Sequence, residues 1–212
     1  MATESPGYAA RLDIDYPGEL DRLTTLFRII WFIPIGIIFT LVAHAGETLI
    51  VDEAGRVIDR TGGITSGIAV ATALMIVFRQ RYPRWWFDFQ RELARFGQRV
   101  FAYLALMTDR YPSTVDEQSV HLELDYPDVE RDLNRWLPLF KWFLVIPHII
   151  VLAFLIFAAL LVVIVAWFAI LVTGRYPREL FDFVVGVFRW GLRVVAYGFF
   201  FVTDEYPPFS LS

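Results

Sequence analysis

WFLVIPHIIVLAFLIFAALLVVIVAWFAILVTG, residues 142–174, decides the class of this chain. It is 33 residues long, and His148 is its only titratable group. A helix of about 20 apolar residues spans the hydrocarbon core of a bilayer, which is about 30 Å thick. Two further uncharged stretches, 29–46 and 61–78, hold 18 residues each. The whole chain of 212 residues is 57% hydrophobic, 17% aromatic and only 20% charged, against about 45–50% apolar and about 25% charged in a soluble domain. These numbers predict an integral membrane protein and exclude a soluble enzyme. The absence of cysteine excludes disulfides, iron–sulfur clusters and thiol catalysis. The opening MATESPGYAARLDIDYPGEL has no apolar stretch beside basic residues, so no cleavable signal peptide is expected.

Working outward from 142–174, the chain shows an internal repeat. Asp15-Tyr16-Pro17 matches Asp125-Tyr126-Pro127, and each follows an alternating stretch, RLDID or HLELD. RYPRWWFDF (81–89) matches RYPRELFDF (175–183), RVFAY (99–103) matches RVVAY (193–197), and Thr108-Asp109-Arg110-Tyr111-Pro112 matches Thr203-Asp204-Glu205-Tyr206-Pro207. The offset is 113 between Pro34 and Pro147 but 94 between Tyr82 and Tyr176, so the first half carries 19 extra residues between its two apolar runs. They correspond to GETLIVDEAGRVIDRTGG, which reads as ETLIV, a DEAG turn and RVIDR, a small exposed β-hairpin.

The resulting expectation is an all-α integral membrane protein of two tandem units, 1–112 (with the insert at about 46–63) and 113–212. Each unit has a short strand, a transmembrane helical hairpin and an interfacial amphipathic helix. That makes four membrane helices, a small cytoplasmic β element and a small external β-hairpin. One straight helix over 142–174 would be about 50 Å long, too long for the bilayer. A hairpin turning near Ala158 is favoured over one long tilted helix, because the repeat requires both ends of each unit on the same side. Of 19 Lys and Arg, only Arg56 and Arg60 lie in 46–63. Basic residues flanking spans mark the cytoplasmic face, so both termini and 79–140 are expected there, with 46–63 outside. RLDID and HLELD are expected to be strands that pair with each other, since a lone strand leaves its backbone groups open.

The segment from Arg84 to about Met107 is amphipathic. On a helical wheel Arg84, Asp88, Arg91 and Arg99 fall within about 40° of Arg95, and Trp86, Phe89, Leu93, Phe96, Val100 and Leu104 lie opposite. A basic stripe with an aromatic back is the pattern of a helix lying in the membrane interface. The second half keeps Arg178, Asp182, Arg189 and Arg193, with Val185 and Gly186 in place of Arg91 and Glu92. Its polar stripe is narrower, so that helix is expected to be more buried. Arg84–Asp88 and Arg178–Asp182 are i,i+4 ion pairs. At the least the stripe is a solvated interfacial face. Read functionally, Arg84, Arg95, Arg99, Arg178, Arg189 and Arg193 form a lipid or phosphate site, because guanidinium forks bind phosphate bidentately and anionic leaflets attract basic residues.

No catalytic constellation is legible. His44, His121 and His148 are far apart, without a metal-binding pattern. His148 is expected to bond a helix carbonyl or a neighbouring tyrosine. No nucleophile elbow, Walker loop or Rossmann fingerprint occurs, and the serines have no paired base. Asp109 and Asp204 read as helix terminators before Tyr-Pro. The basic segments lie beside spans, so nucleic acid is not an expected partner. Transport would need charges or broken helices inside the spans, and only His148 and His44 are there.

The segment GRYPRELFDFVVGVFRWGLRVVAYGFFFVTDEYPPFSL (174–211), with the preceding IPHIIVLAF and IVAWFAILVTG, resembles the signature of a bacterial membrane family catalogued as a domain of unknown function, number 4389. The first half is a diverged version that lacks the Gly-Val-x-Arg-Trp core. The resemblance implies a bacterial inner-membrane protein and transfers no catalytic residue. The expected function is non-enzymatic, without cofactor or metal. It is that of a structural or accessory subunit of a membrane complex, or of an organiser of anionic lipid, with self-association or a larger complex as the protein partner. A small transporter or channel component is the alternative.

Overall fold

The computed structural model of the chain describes residues 7–44, 47–51, 57–62, 64–114 and 116–212. In chain order the described elements are β1 (Ala10–Ile14), α1 (Arg22–Leu26), α2 (Arg28–His44), β2 (Glu47–Val51), β3 (Val57–Gly62), α3 (Ile64–Arg79), α4 (Arg84–Leu104), β4 (Val120–Leu124), α5 (Val129–Asp132), α6 (Pro138–Leu144), α7 (Ile146–Thr173) and α8 (Arg178–Gly198).

The alternation in RLDID and HLELD builds the expected ribbon. β1 and β4 pair antiparallel, with Leu12 opposite Leu122 and Ile14 opposite Val120. Ala10, Leu12, Ile14, Val120, Leu122 and Leu124 are buried on one face. Arg11, Asp13, His121 and Glu123 fill the other, because successive strand residues point to opposite sides. On that outer face Arg11 bonds Glu123 at 3.1 Å and Asp125 at 2.7 Å, and His121 meets Asp15 at 3.1 Å. β2 and β3 also pair antiparallel, Glu47 opposite Gly62, with an irregularity between Ile50 and Val51. The expected DEAG turn lies outside the described residues.

The buried face of the ribbon rests on α8 through β1 and on α4 through β4. Beneath, α7 packs on α8 and α2 on α4. Thr72 Oγ1 of α3 accepts from Trp86 Nε1 and Gln90 Nε2 of α4, both at 3.0 Å. The order is therefore charged ribbon, amphipathic helices, apolar helices.

The expectation of four membrane helices in two tandem hairpin units is corrected here. Among the described residues one helix, α7, is long and apolar enough to cross a membrane; α2 and α3 contribute only shorter apolar stretches. The 33-residue run does not turn at Ala158. It bends at Val145 and then continues as one helix to Thr173. The reason is local. No Gly, Pro, Asn or Asp occurs between His148 and Thr173, so nothing frees the backbone to reverse. The first residue that can is Gly174, whose φ of +76° is the left-handed conformation that closes helices.

Candidate functional site

The six arginines read as a lipid or phosphate site, out of seven on the amphipathic helices, fall into two classes. Arg95 and Arg189 hold the centre of the ribbon: Arg95 Nη2 donates to the Leu122 carbonyl at 3.3 Å and Arg189 Nε to the Leu12 carbonyl at 2.8 Å. Leu12 and Leu122 are opposite each other in the ribbon, so the two guanidiniums hold the two strands at one rung. Arg95 also bonds Glu92 at 2.6 Å, and Arg189 bonds Asp13 at 2.7 Å. One turn further on, Arg99 Nη1 donates to Ser113 O at 2.6 Å and Arg193 Nη2 to Ser210 O at 2.5 Å. Both are buried, and burial lowers the pKa of each guanidinium. These four face the protein's own backbone.

Arg84 and Arg178, by contrast, are each 63% exposed. Arg84 lies 3.6 Å from Asp88 and 4.7 Å above the Tyr126 ring. Arg178 lies 3.0 Å from Asp182 and 4.7 Å above the Tyr16 ring. The two tyrosines in turn donate to Tyr82 O and Tyr176 O respectively. As the narrower stripe suggested, α8 is covered by β1 and α7 over most of its length, with Val184, Val185, Gly186 and Val187 all buried.

Two buried cations escaped the sequence reading. Arg28, at the start of α2, donates Nη1 to Thr108 O at 2.9 Å and Nη2 to Asp109, and sits 4.1 Å above the Tyr103 ring. Lys141 of α6 donates Nζ to Thr203 O at 2.6 Å, pairs with Asp204 at 2.8 Å and lies 4.6 Å from the Tyr197 ring. The backbone brings each aspartate into place. After α4, Leu106 takes φ +62° and Met107 N–H returns to Ala102 O. After α8, Phe201 takes φ +54° and Val202 N–H returns to Ala196 O. Asp109 and Asp204 thus do more than end helices. Each grips a cation at the root of an apolar helix, and each also accepts a backbone N–H, from Asp21 at 2.7 Å and from Asn134 at 2.5 Å. The available signal was spacing: Arg28 and Lys141 each stand six residues before the proline of an apolar run. Burial pulls the Lys141 ammonium below its ordinary pKa, against the opposite pull of Asp204.

His148 is wholly buried in the first turn of α7. Its partner is neither a carbonyl nor a tyrosine. Trp190 Nε1 donates to His148 Nδ1 at 3.0 Å, Phe209 stacks at 4.0 Å between centroids, and the Tyr206 ring lies at 4.8 Å. A donor at Nδ1 places the ring proton of the neutral imidazole on Nε2, which has no partner among the described residues.

Residues 136–210, from just before α6 to beyond α8, match the family model described as Domain of unknown function (DUF4389). The match covers one copy of the pattern, so two tandem copies and a bacterial source gain no support from it. No curated protein and no solved structure matches the chain.

Proposed function

We propose that this chain is a non-catalytic membrane protein that seats an apolar helix layer in lipid and gathers anionic headgroups at its rim, as a structural element of the membrane or an accessory subunit there. One observation carries this reading: the apolar layer is bare. Only 17% of the most apolar window of α7 is buried, with Phe154 73% and Val172 76% exposed. Ile29, Ile33, Ile37 and Leu41 of α2 are exposed as well. A helix apolar all round belongs in a core or in lipid, and an apolar surface of this extent on a soluble monomer is a binding site.

Charge segregation supports the same reading, since the outward ribbon face is polar and opposite the bare helices. The 17 Lys and Arg outside the 46–63 insert, against two within it, support a cytoplasmic setting for ribbon and termini in a plasma membrane. Arg84 and Arg178 carry the lipid part of the proposal, because they have exposed forks and Arg95, Arg99, Arg189 and Arg193 are engaged by the ribbon and the loops.

Flotation of the purified full chain with vesicles tests it. The chain is expected to float with phosphatidylcholine vesicles and to be retained more strongly when phosphatidylglycerol is included. Arg84→Gln with Arg178→Gln should remove the difference between the two lipids, at about 1 kcal/mol per charge, and leave flotation itself intact. A chain that stays in the dense fraction with both vesicle types overturns the membrane reading. An unchanged lipid preference in the double variant overturns the assignment to these two arginines.

A further inference from the structure

We infer that α7 lies along the bilayer plane within one leaflet instead of crossing to the other side; this rests on the membrane seat proposed above. Both ends of α7 are fastened to the same layer of the protein. At the start, Val145 packs so closely on Gly198 that a Cβ there would come within 2.9 Å of it, and His148 accepts from Trp190. At the other end, Trp167 Nε1 donates to Thr25 O at 3.1 Å and Leu20 N–H to Gly174 O at 2.9 Å. Between those ends Leu152, Ala159, Ala166 and Ile170 are buried in one continuous seam, while Phe154, Phe157, Leu161, Phe168 and Val172 face outward.

The partner in that seam is α8, which returns antiparallel from the Gly174–Pro177 turn. α8 in turn runs the length of β1: Phe181 meets Tyr16 at 5.1 Å, Arg189 bonds Leu12 O at 2.8 Å, and beyond its end Glu205 O accepts from Tyr8 at 3.0 Å. Ribbon, α8 and α7 are therefore stacked side by side with their axes aligned. If α7 crossed the bilayer, the ribbon would stand beside it at bilayer depth. Its outer face bears Arg11, Asp13, His121 and Glu123, flanked by Asp15 and Asp125, and charged groups at that depth are strongly disfavoured. The ribbon's open strand edges would also meet hydrocarbon, which has no hydrogen bonds to give.

Length leads to the same place. At about 1.5 Å per residue the 28 residues of α7 extend about 42 Å. Burying all of it in a core of about 30 Å would require a tilt of about 45°, beyond the roughly 0–40° seen for spanning helices. Laid flat, the bare face of α7 meets acyl chains along its whole length, α8 covers its upper side, and the charged ribbon remains in water. Trp31 and Trp136, both exposed, stand near the roots of α2 and α6 as interface anchors.

The chain has no cysteine, so single cysteines at Ile150, Leu161 and Val172, exposed positions along one stripe of α7, can each carry a spin label in the full chain. Labelled protein is reconstituted into phosphatidylcholine–phosphatidylglycerol vesicles, and label depth is read from oxygen against polar nickel-chelate accessibility. A quencher confined to the outer leaflet reports the side. The in-plane arrangement gives three depths within about 5 Å of one another, in the shallow zone where interfacial helices lie, all quenched from the same side. A crossing helix places Leu161 about 15 Å deeper than the ends, with Ile150 and Val172 quenched from opposite sides, and that pattern overturns the inference while leaving the membrane seat standing. Failure of the labelled chain to float overturns both.

Discussion

Lys141→Met removes the cation from the second buried cage. Met retains most of the apolar stem of lysine, so the principal loss is the ammonium with its bonds to Asp204 and Thr203 O. Breaking a buried pair by deleting one partner costs about 3–5 kcal/mol. Asp204 is not left bare: it still accepts from Asn134 N–H, and its side chain is 21% exposed. The lower end of that range applies, about 3 kcal/mol, which for a chain of this length is a fall in Tm of roughly 6–12 °C. The double variant Lys141→Met with Asp204→Asn removes both charges, and the amide oxygen still serves Asn134. It should recover to within about 1 kcal/mol of the parent.

The pH dependence has a defined sign. Burial lowers the folded-state pKa of Lys141 below 10.5. Between the folded and unfolded values the unfolded chain binds more protons, so the stability contribution of Lys141 rises with pH through that window and is lowest beneath it. The advantage of the parent over Lys141→Met should therefore widen as pH approaches 10.5. Thermal unfolding in detergent, followed by far-UV circular dichroism across pH, reads both effects. A single variant within 1 kcal/mol of the parent, or a double variant less stable than the single, would refute the cage as a held charge pair.

Two other outcomes follow from local geometry. Trp190→Phe leaves His148 Nδ1 buried with no donor and should cost about 1–3 kcal/mol, checked by thermal unfolding against Trp142→Phe as a tryptophan control. Gly186→Ala would place a Cβ 2.8 Å from both Leu211 Cβ and Leu211 O. The segment that holds Ser210 on Arg193 must then shift, with a loss of about 1–3 kcal/mol and faster chymotryptic cleavage after Phe209 than in the parent.

What the sequence made legible was periodicity, and what it concealed was contact across long separations. Alternation of period two located both strands, and because each buries one face, their pairing in a single ribbon followed. The Arg-bearing stripe was visible by its helical period. Its partner was not, since a polar stripe facing water and one facing a ribbon of carbonyls have the same pattern. Arg28 and Lys141 were hidden for a related reason. Each looks like an ordinary charge flanking an apolar helix until the backbone reversals at Leu106 and Phe201 bring an aspartate 63 or more residues away onto it.

The misplaced turn at Ala158 separates a premise about ends from a premise about path. The requirement that both ends of the apolar run lie on one side came from the repeat, with the distribution of arginines in support, and a hairpin was the device assumed to meet it. The chain has no residue there that can reverse a helix. Val145 and Gly174, at the two ends of α7, touch α8 and the segment leading into α1, in one layer beneath the ribbon. A charge distribution constrains the ends of a segment and is silent about the path between them. The path is read from backbone chemistry: a left-handed Gly174 with Pro177 three residues on reverses the chain into α8, and 26 residues from His148 to Thr173 without a Gly, Pro, Asn or Asp do not.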